Sequence, residues 1–118
     1  MSRPEARVQV LEALYAADLR GVLTDIEDLS PRALGLAVGT WNARAELDAE
    51  IAGVATGWRV ERMPAVDRTI LRLALYELRH TDTPVAVVIS QAVELAKAYS
   101  TTRSGGFVNG VLGRLAGS

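Results

Sequence analysis

The sequence has no cysteine, a single histidine, a single phenylalanine and no long uncharged hydrophobic run. Without cysteine it can form neither disulfides nor thiolate metal sites, which fits a reducing cytosol. The lone His80 excludes a histidine-rich metal site within one chain, and we expect it to be exposed at a helix end. Charged residues interrupt every apolar segment before the roughly 20 residues that a membrane span needs. We therefore expect no metal, no cofactor and no membrane contact.

The beginning of the chain, "MSRPEARVQV", has no apolar signal segment, so we expect a cytoplasmic protein. At 118 residues, 49% of them hydrophobic, the chain has the size of one domain and can bury a core. We expect a single domain over residues 1–118, with halves of approximately 1–60 and 61–118.

Charge is distributed unevenly along the chain. Residues 1–57 carry five arginines and nine acids, a net charge of −4, whereas residues 58–118 carry eight bases and five acids, a net charge of +3. Twelve of the 13 basic residues are arginine, whose planar guanidinium binds phosphates, stacked bases and carboxylates alike. The composition fits a solvated surface with ion pairs equally well. It therefore does not show whether the arginines bind a nucleic acid, a protein or only water.

Apolar residues at three- and four-residue spacing predict helices in the first half. Glu5 to Arg20 has this spacing, and Gly21 follows as a helix end. Ser30 and Pro31 together are typical of a helix start, because the hydroxyl caps free amides and proline lacks only an N–H that the first turn does not use. Beyond them, Asn42 marks either a break between two helices or a kink within one.

The second half also indicates helices. After a connector over residues 59–64, the segment "AVDRTILRLALYELRH" is apolar on more than one face, which predicts a central helix. The run from Val85 to Ile89 also fits a strand, but the same helical period continues to Tyr99, so we favour a helix. A final helix is expected from Phe107, after a Ser/Thr/Gly loop. The fold class predicted is all-α, a compact helical bundle of two small helical halves.

The sequence shows no legible catalytic site. It offers no nucleophile with a base, no carboxylate pair in contrasting environments and no metal cluster. Asp67 and Glu77 lie on an arginine-rich helix, where we interpret both as local ion-pair partners. The stretch "GGFVNG" lacks the Gly-Lys-Ser/Thr of a P-loop. We therefore expect a binding or adaptor protein rather than an enzyme, with no catalytic residues.

Three stretches resemble, in order and spacing, the second half of the bacterial NusB family of transcription antitermination and ribosomal-RNA factors. They are "MPAVDRTILRLALYELRH", "TPVAVVISQAVELAKAYST" and "SGGFVNGVLG". Upstream, "ARVQVLEALYAADLRG" is similar to the family's first helix, and "ELDAEIAGVATGWRVERMPAVDR" to its domain junction. The resemblance covers nearly the whole chain. It implies an all-helical fold in which two halves of three to four helices pack together.

The resemblance also implies a function. Family members bind the boxA sequence of nascent ribosomal RNA as a single strand and pair with NusE, a small-subunit ribosomal protein. Together they load an antitermination complex on RNA polymerase. NusE docks on exposed faces of the second half, but we assign no residue to that surface. The basic and acidic residues there are interpreted as ordinary solvated charges: Arg68, Arg72, Glu77 and Arg79.

Other functions stay open at this point. A NusB-like interaction module could keep the NusE contact and lose RNA affinity. A second alternative is the NusB-like accessory domain fused to some ribosomal-RNA cytosine methyltransferases. A DNA-binding helix-turn-helix is less well supported, because no compact basic recognition helix is visible.

The resemblance places RNA contacts around the start of the final helix. Ser104, Gly105 and Gly106 would expose backbone amides next to Phe107, whose ring would stack a base. Asn109 would contact a base edge or cap the helix. In the alternative interpretation the glycines only turn the chain, the phenylalanine fills the core and the asparagine is only a cap.

Three further RNA-binding candidates lie near the beginning of the chain: Arg3, Arg7 and Tyr15. The family's first helix begins with an arginine-rich run and continues to an "ALY" like the one that ends at Tyr15. Arg7 and Tyr15 are eight residues apart, about two helical turns, so we expect them to share a face. Tyr15 also fits a core or interface position. Pro4 and Glu5 stand where further arginines are usual, so fewer phosphates would be neutralised.

Arg103 stands where members of the resembled family carry an acidic residue, and it gives a first testable prediction. A base in place of an acid beside RNA removes repulsion and adds attraction. We predict that Arg103→Glu lowers the affinity for boxA-type RNA and flattens its dependence on salt. Titration of the RNA across a salt series measures both effects, and unchanged binding would remove Arg103 from the site.

Overall fold

Residues 4–117 are described by the computed structural model, and within them every regular element is helical. The elements are α1 (Pro4–Arg20), α2 (Pro31–Asn42), α3 (Arg44–Val54), one turn of 3-10 helix (Val60–Arg62), α4 (Ala65–His80), α5 (Val85–Tyr99) and α6 (Ser104–Ala116). The predicted all-α class is confirmed. Within the same residues, no helix is both long enough and apolar enough to cross a membrane.

Local chemistry sets the ends of the first two helices as the sequence predicts. The Ser30 hydroxyl accepts a hydrogen bond from the Ala33 amide at 3.2 Å, and Pro31 is the first residue of α2. Gly21 adopts a φ of +82°, which glycine tolerates best, and its amide donates to the Ala17 carbonyl at 2.7 Å.

The structure decides two alternatives that the sequence left open. Asn42 is the last residue of α2, and Ala43 separates it from α3, so the chain breaks there into two helices. The segment Val85–Tyr99 is a helix, as favoured.

The start of the last helix differs from the sequence prediction. Helix α6 begins at Ser104 instead of Phe107, so Gly105 and Gly106 form its first turn instead of a loop. The Ser104 amide donates to the Thr101 carbonyl at 3.1 Å, and this bond begins the turn three residues early.

Helix α4 is the central helix, as predicted. It packs against α1, α2, α3, α5 and α6. Its residues Ile70, Leu71 and Leu75 belong to a large buried cluster with α3, α5 and α6, while Leu73 belongs to a second cluster with α1 and α2. The division into halves near residue 60 stays a prediction.

The arginines of α4 form ion pairs with other helices, whereas we expected ordinary solvated charges. Arg68 and Arg72 both bind Asp18 of α1, and Arg72 also donates two hydrogen bonds of 2.7 Å to Asp48 of α3. Burial alone raises the pKa of Asp18, but the hydrogen bonds and charges of the two arginines outweigh it and hold the pKa below its ordinary value. Arg79 pairs with Glu50 of α3. The expectation failed because these partners lie on other helices.

Two glycines of α2 give a matched test of the packing between α2 and α4. A Cβ atom on Gly39 would lie 2.1 Å from the Tyr76 hydroxyl, whereas one on Gly35 would meet nothing within 4 Å. We predict that Gly35→Ala raises the free energy of unfolding by about 0.4–1 kcal/mol, and that Gly39→Ala lowers it by about 1–3 kcal/mol through overpacking. Urea denaturation measures both, and equal stabilisation by the two variants would contradict the packing described.

Candidate nucleic-acid interface

A buried carboxylate organises the start of α6. Asp67, in the first turn of α4, is only 4% exposed and accepts hydrogen bonds from the hydroxyls of Ser100 and Ser104, the latter at 2.9 Å. The Ser104 oxygen is also 2.9 Å from that of Ser100 and 3.0 Å from that of Thr101. We call these four residues the hydroxyl cluster. The predicted local ion pair for Asp67 is wrong, because its partners are hydroxyls 33 and 37 positions away.

The two glycines at the start of α6 differ in their surroundings. Gly105 is buried, and a Cβ there would lie 3.3 Å from the Lys97 side chain, so close packing against α5 favours glycine. Gly106 is exposed, with open space where a side chain would be. Amides in the first turn of a helix have no partner within the helix, and Arg103 provides no side-chain cap. The geometry therefore suits backbone contact with a ligand at Gly106.

Phe107 forms an aromatic pair with Trp58. The two ring centroids are 5.5 Å apart and the planes are tilted by 55°. Phe107 is half-buried against the core, whereas Trp58 is 52% exposed. Cavities of about 210 and 230 Å³ open on the two sides of this pair. Phe107 thus fills part of the core and also contributes to the surface.

Trp58 is the residue that sequence reasoning missed. The spacing of Leu47, Ile51, Val54 and Trp58 predicts a helix that continues to the tryptophan, but α3 ends at Val54 and Trp58 lies in the connection to α4. The available signal was Gly57, which has a φ of +83° and cannot continue a right-handed helix. A tryptophan just after such a break lies outside the helical pattern.

Arg103 and Asn109 are both exposed, but only Arg103 lines a cavity beside the aromatic pair. Arg103 directly precedes α6 and forms no ion pair within residues 4–117. Asn109 lies inside α6, so the interpretation of Asn109 as a helix cap is wrong. With Gly106 and Phe107, these residues span fewer than two helical turns. Their contact with RNA stays a prediction.

Arg7 is directed into the protein. Its side chain is 3% exposed and pairs with Glu77 of α4, which is fully buried. Burial raises the pKa of Glu77, and the charge of Arg7 offsets this only in part. Within the described residues, Arg7 Nε and Glu77 Oε1 have no hydrogen-bond partner. The predicted local ion pair for Glu77 is wrong, because its partner is 70 positions away.

The candidates on α1 are therefore separated from those on α6. Asp67 and Glu77 are ten positions apart on α4, which is about 15 Å along the helix axis. Arg7 and Tyr15 were expected to share a face of α1, but Arg7 is buried while Tyr15 is 37% exposed, so the two side chains do not form one exposed surface. That exposure fits either RNA or a protein partner. Arg3 lies outside the described residues.

Metal-ligand chemistry does not account for the site. Between residues 4 and 117, no group of three histidine or acidic side chains is arranged to hold a metal ion. The arrangement offers an aromatic surface, an exposed glycine at Gly106 and the unpaired cation of Arg103, which can together bind a planar, anionic ligand.

The pair between Arg7 and Glu77 predicts that Arg7 acts on stability. Arg7→Met leaves a buried carboxylate without its cation, so we predict a loss of about 3–5 kcal/mol in the free energy of unfolding. The double variant Arg7→Met/Glu77→Leu should recover most of that loss. Chemical denaturation measures both.

Arg20→Met provides the matched control on the same helix. It removes an exposed pair with Asp25 and should cost less than about 1 kcal/mol. A loss for Arg7→Met as small as that of the control would contradict the structural role of the buried pair.

Comparison with known proteins agrees with this description. The sequence model of the NusB family matches residues 4–117. The transcription antitermination protein NusB of Symbiobacterium thermophilum is 43% identical over 96% of this chain and 88% of its own length. That of Saccharopolyspora erythraea is 45% identical over 98% of this chain and 87% of its own length.

Solved structures give the same result. NusB of T. maritima has a TM-score of 0.88 and 34% identity, covering 100% of this chain and 92% of that one. A crystal structure of the antitermination factors NusB and NusE in complex with double-stranded RNA has a TM-score of 0.82 and 27% identity. That match covers 98% of this chain and 96% of the other.

Proposed function

The chain belongs to the NusB family, and from this we propose that it is a non-enzymatic RNA-binding adaptor. It recognises boxA-type sequence in nascent ribosomal RNA together with NusE and promotes transcription antitermination by RNA polymerase. Nascent ribosomal RNA is made in the bacterial cytoplasm, so the protein acts there. The observation that carries the proposal is the aromatic pair beside the exposed Gly106 in the first turn of α6.

The geometry of that turn supports binding to a single strand. Proteins recognise unpaired RNA by stacking bases on aromatic side chains and bonding their edges, often with backbone groups. Phe107 and Trp58 offer the rings, and Gly106 leaves its backbone uncovered. Arg103 is available for a phosphate because no carboxylate in the described residues pairs with it.

The charge distribution supports a need for NusE. The net charge is −1, and Arg7 is neutralised by Glu77 inside the protein. Few phosphates can therefore be contacted, and the protein alone binds RNA weakly. A partner that contacts the same RNA makes the second binding step intramolecular and raises the overall affinity.

Binding to RNA with and without NusE tests the proposal. We predict that the protein prefers boxA-type RNA to a scrambled sequence of the same composition, and that NusE strengthens this preference. Fluorescence anisotropy of labelled RNA at several salt concentrations measures both. Equal binding of the two RNAs while NusE is bound would identify an interaction module that contacts NusE without reading RNA.

A further inference from the structure

The cavity of about 210 Å³ lies between the connection that carries Trp58, the start of α4 and the start of α6. Trp58 and Phe107 line it, with Pro64 beside the first turn of α4. Drug-sized ligands occupy cavities of about 300–1,000 Å³. This cavity is smaller, so it is suited to a single ring system and not to a whole nucleotide.

The charge inside the cavity favours a base over a phosphate. Asp67 and Ser104, both buried, belong to its lining, and the partners of the Asp67 carboxylate are hydroxyls. A negative charge at the inner wall repels a phosphate. A carboxylate has about four lone-pair directions, so Asp67 retains acceptor capacity for the N–H of a base.

The entrance of the cavity carries a positive charge. Arg103 also lines it but is exposed. A base inserted into the cavity beside the two rings would therefore place its own phosphate on the side of the guanidinium. Trp58 has half its surface open to solvent, although a large aromatic side chain gains most when a second surface covers it.

We infer that this cavity is a subsite for one unpaired RNA base, which stacks on Trp58 and inserts beside Phe107 over the hydroxyl cluster. The inference rests on the proposed function and assigns Trp58 and Asp67 to one position that binds a single base. Stacking tolerates any base, so the subsite contributes affinity and position more than sequence choice.

A series of boxA-type RNAs, each lacking the base at one position, tests the subsite in the presence of NusE. In the wild-type protein, one position should lose about 5- to 100-fold in affinity when its base is removed. Trp58→Leu should bind the intact RNA with an affinity lowered by a similar factor. Removal of that base should not lower the affinity of this variant any further. Trp58→Phe keeps an aromatic plane and should bind nearly as wild type.

Tryptophan fluorescence provides a second measurement, in which each of the two tryptophans is replaced by phenylalanine. Trp41 is half-buried, and the guanidinium of Arg44 lies 3.7 Å from its ring centroid. In Trp41→Phe the remaining Trp58 emission should be quenched by boxA-type RNA. In Trp58→Phe the remaining Trp41 emission should not change.

The outcomes separate the inference from the function. If base removal costs the same at every position in wild type and Trp58→Leu, and Trp58 emission is unchanged by bound RNA, the subsite is wrong while the adaptor function stands. If the wild-type protein does not discriminate boxA-type from scrambled RNA even with NusE, the proposed function itself is overturned.

Discussion

Helix α4 is enclosed by five other helices, so its polar side chains must find partners on those neighbours. A buried charge without a partner costs several kcal/mol, and this requirement fixes where the surrounding helices can lie. Glu77 holds α1 through Arg7, and Arg72 joins α1 to α3 through Asp18 and Asp48. Asp67 holds the junction of α5 and α6 through hydroxyls. The charges of α4 therefore act as connectors within the fold.

This arrangement determines what the surface can bind. At one end of α4, the hydroxyl cluster sets the start of α6 and brings Phe107 against Trp58. At the other end, Arg7 is neutralised within the protein and contributes no free charge. The candidate RNA surface is consequently small and aromatic, with Arg103 as its cation. A surface of this kind suits a factor that works with a protein partner better than one that binds nucleic acid by charge alone.

The sequence predicted the helices well because apolar periodicity and capping are local properties. Short-range patterns correctly predicted the helix start at Ser30 and Pro31 and the helix end at Gly21. They also predicted that α4, which is apolar on more than one face, is central. The partners of Asp67 and Glu77 could not be predicted, since they lie 33 to 70 positions away and depend on packing. The early start of α6 was missed for the same reason, because Asp67 of α4 binds Ser104, whereas Trp58 was missed although Gly57 gave a local signal. Family resemblance placed the candidate RNA contacts at the start of α6, but only the structure showed that Arg7 is buried.

The central claim is that RNA binds at the start of α6, beside Trp58. The most direct test is the change in ¹H–¹⁵N NMR signals when boxA-type RNA is added to the protein with NusE bound. The account predicts the largest additional changes at the backbone amides of Gly105, Gly106 and Phe107 and at the Trp58 indole N–H. Changes concentrated instead at the carboxyl end of α4, around Thr81 and Thr83, with the α6 signals unmoved, would contradict it.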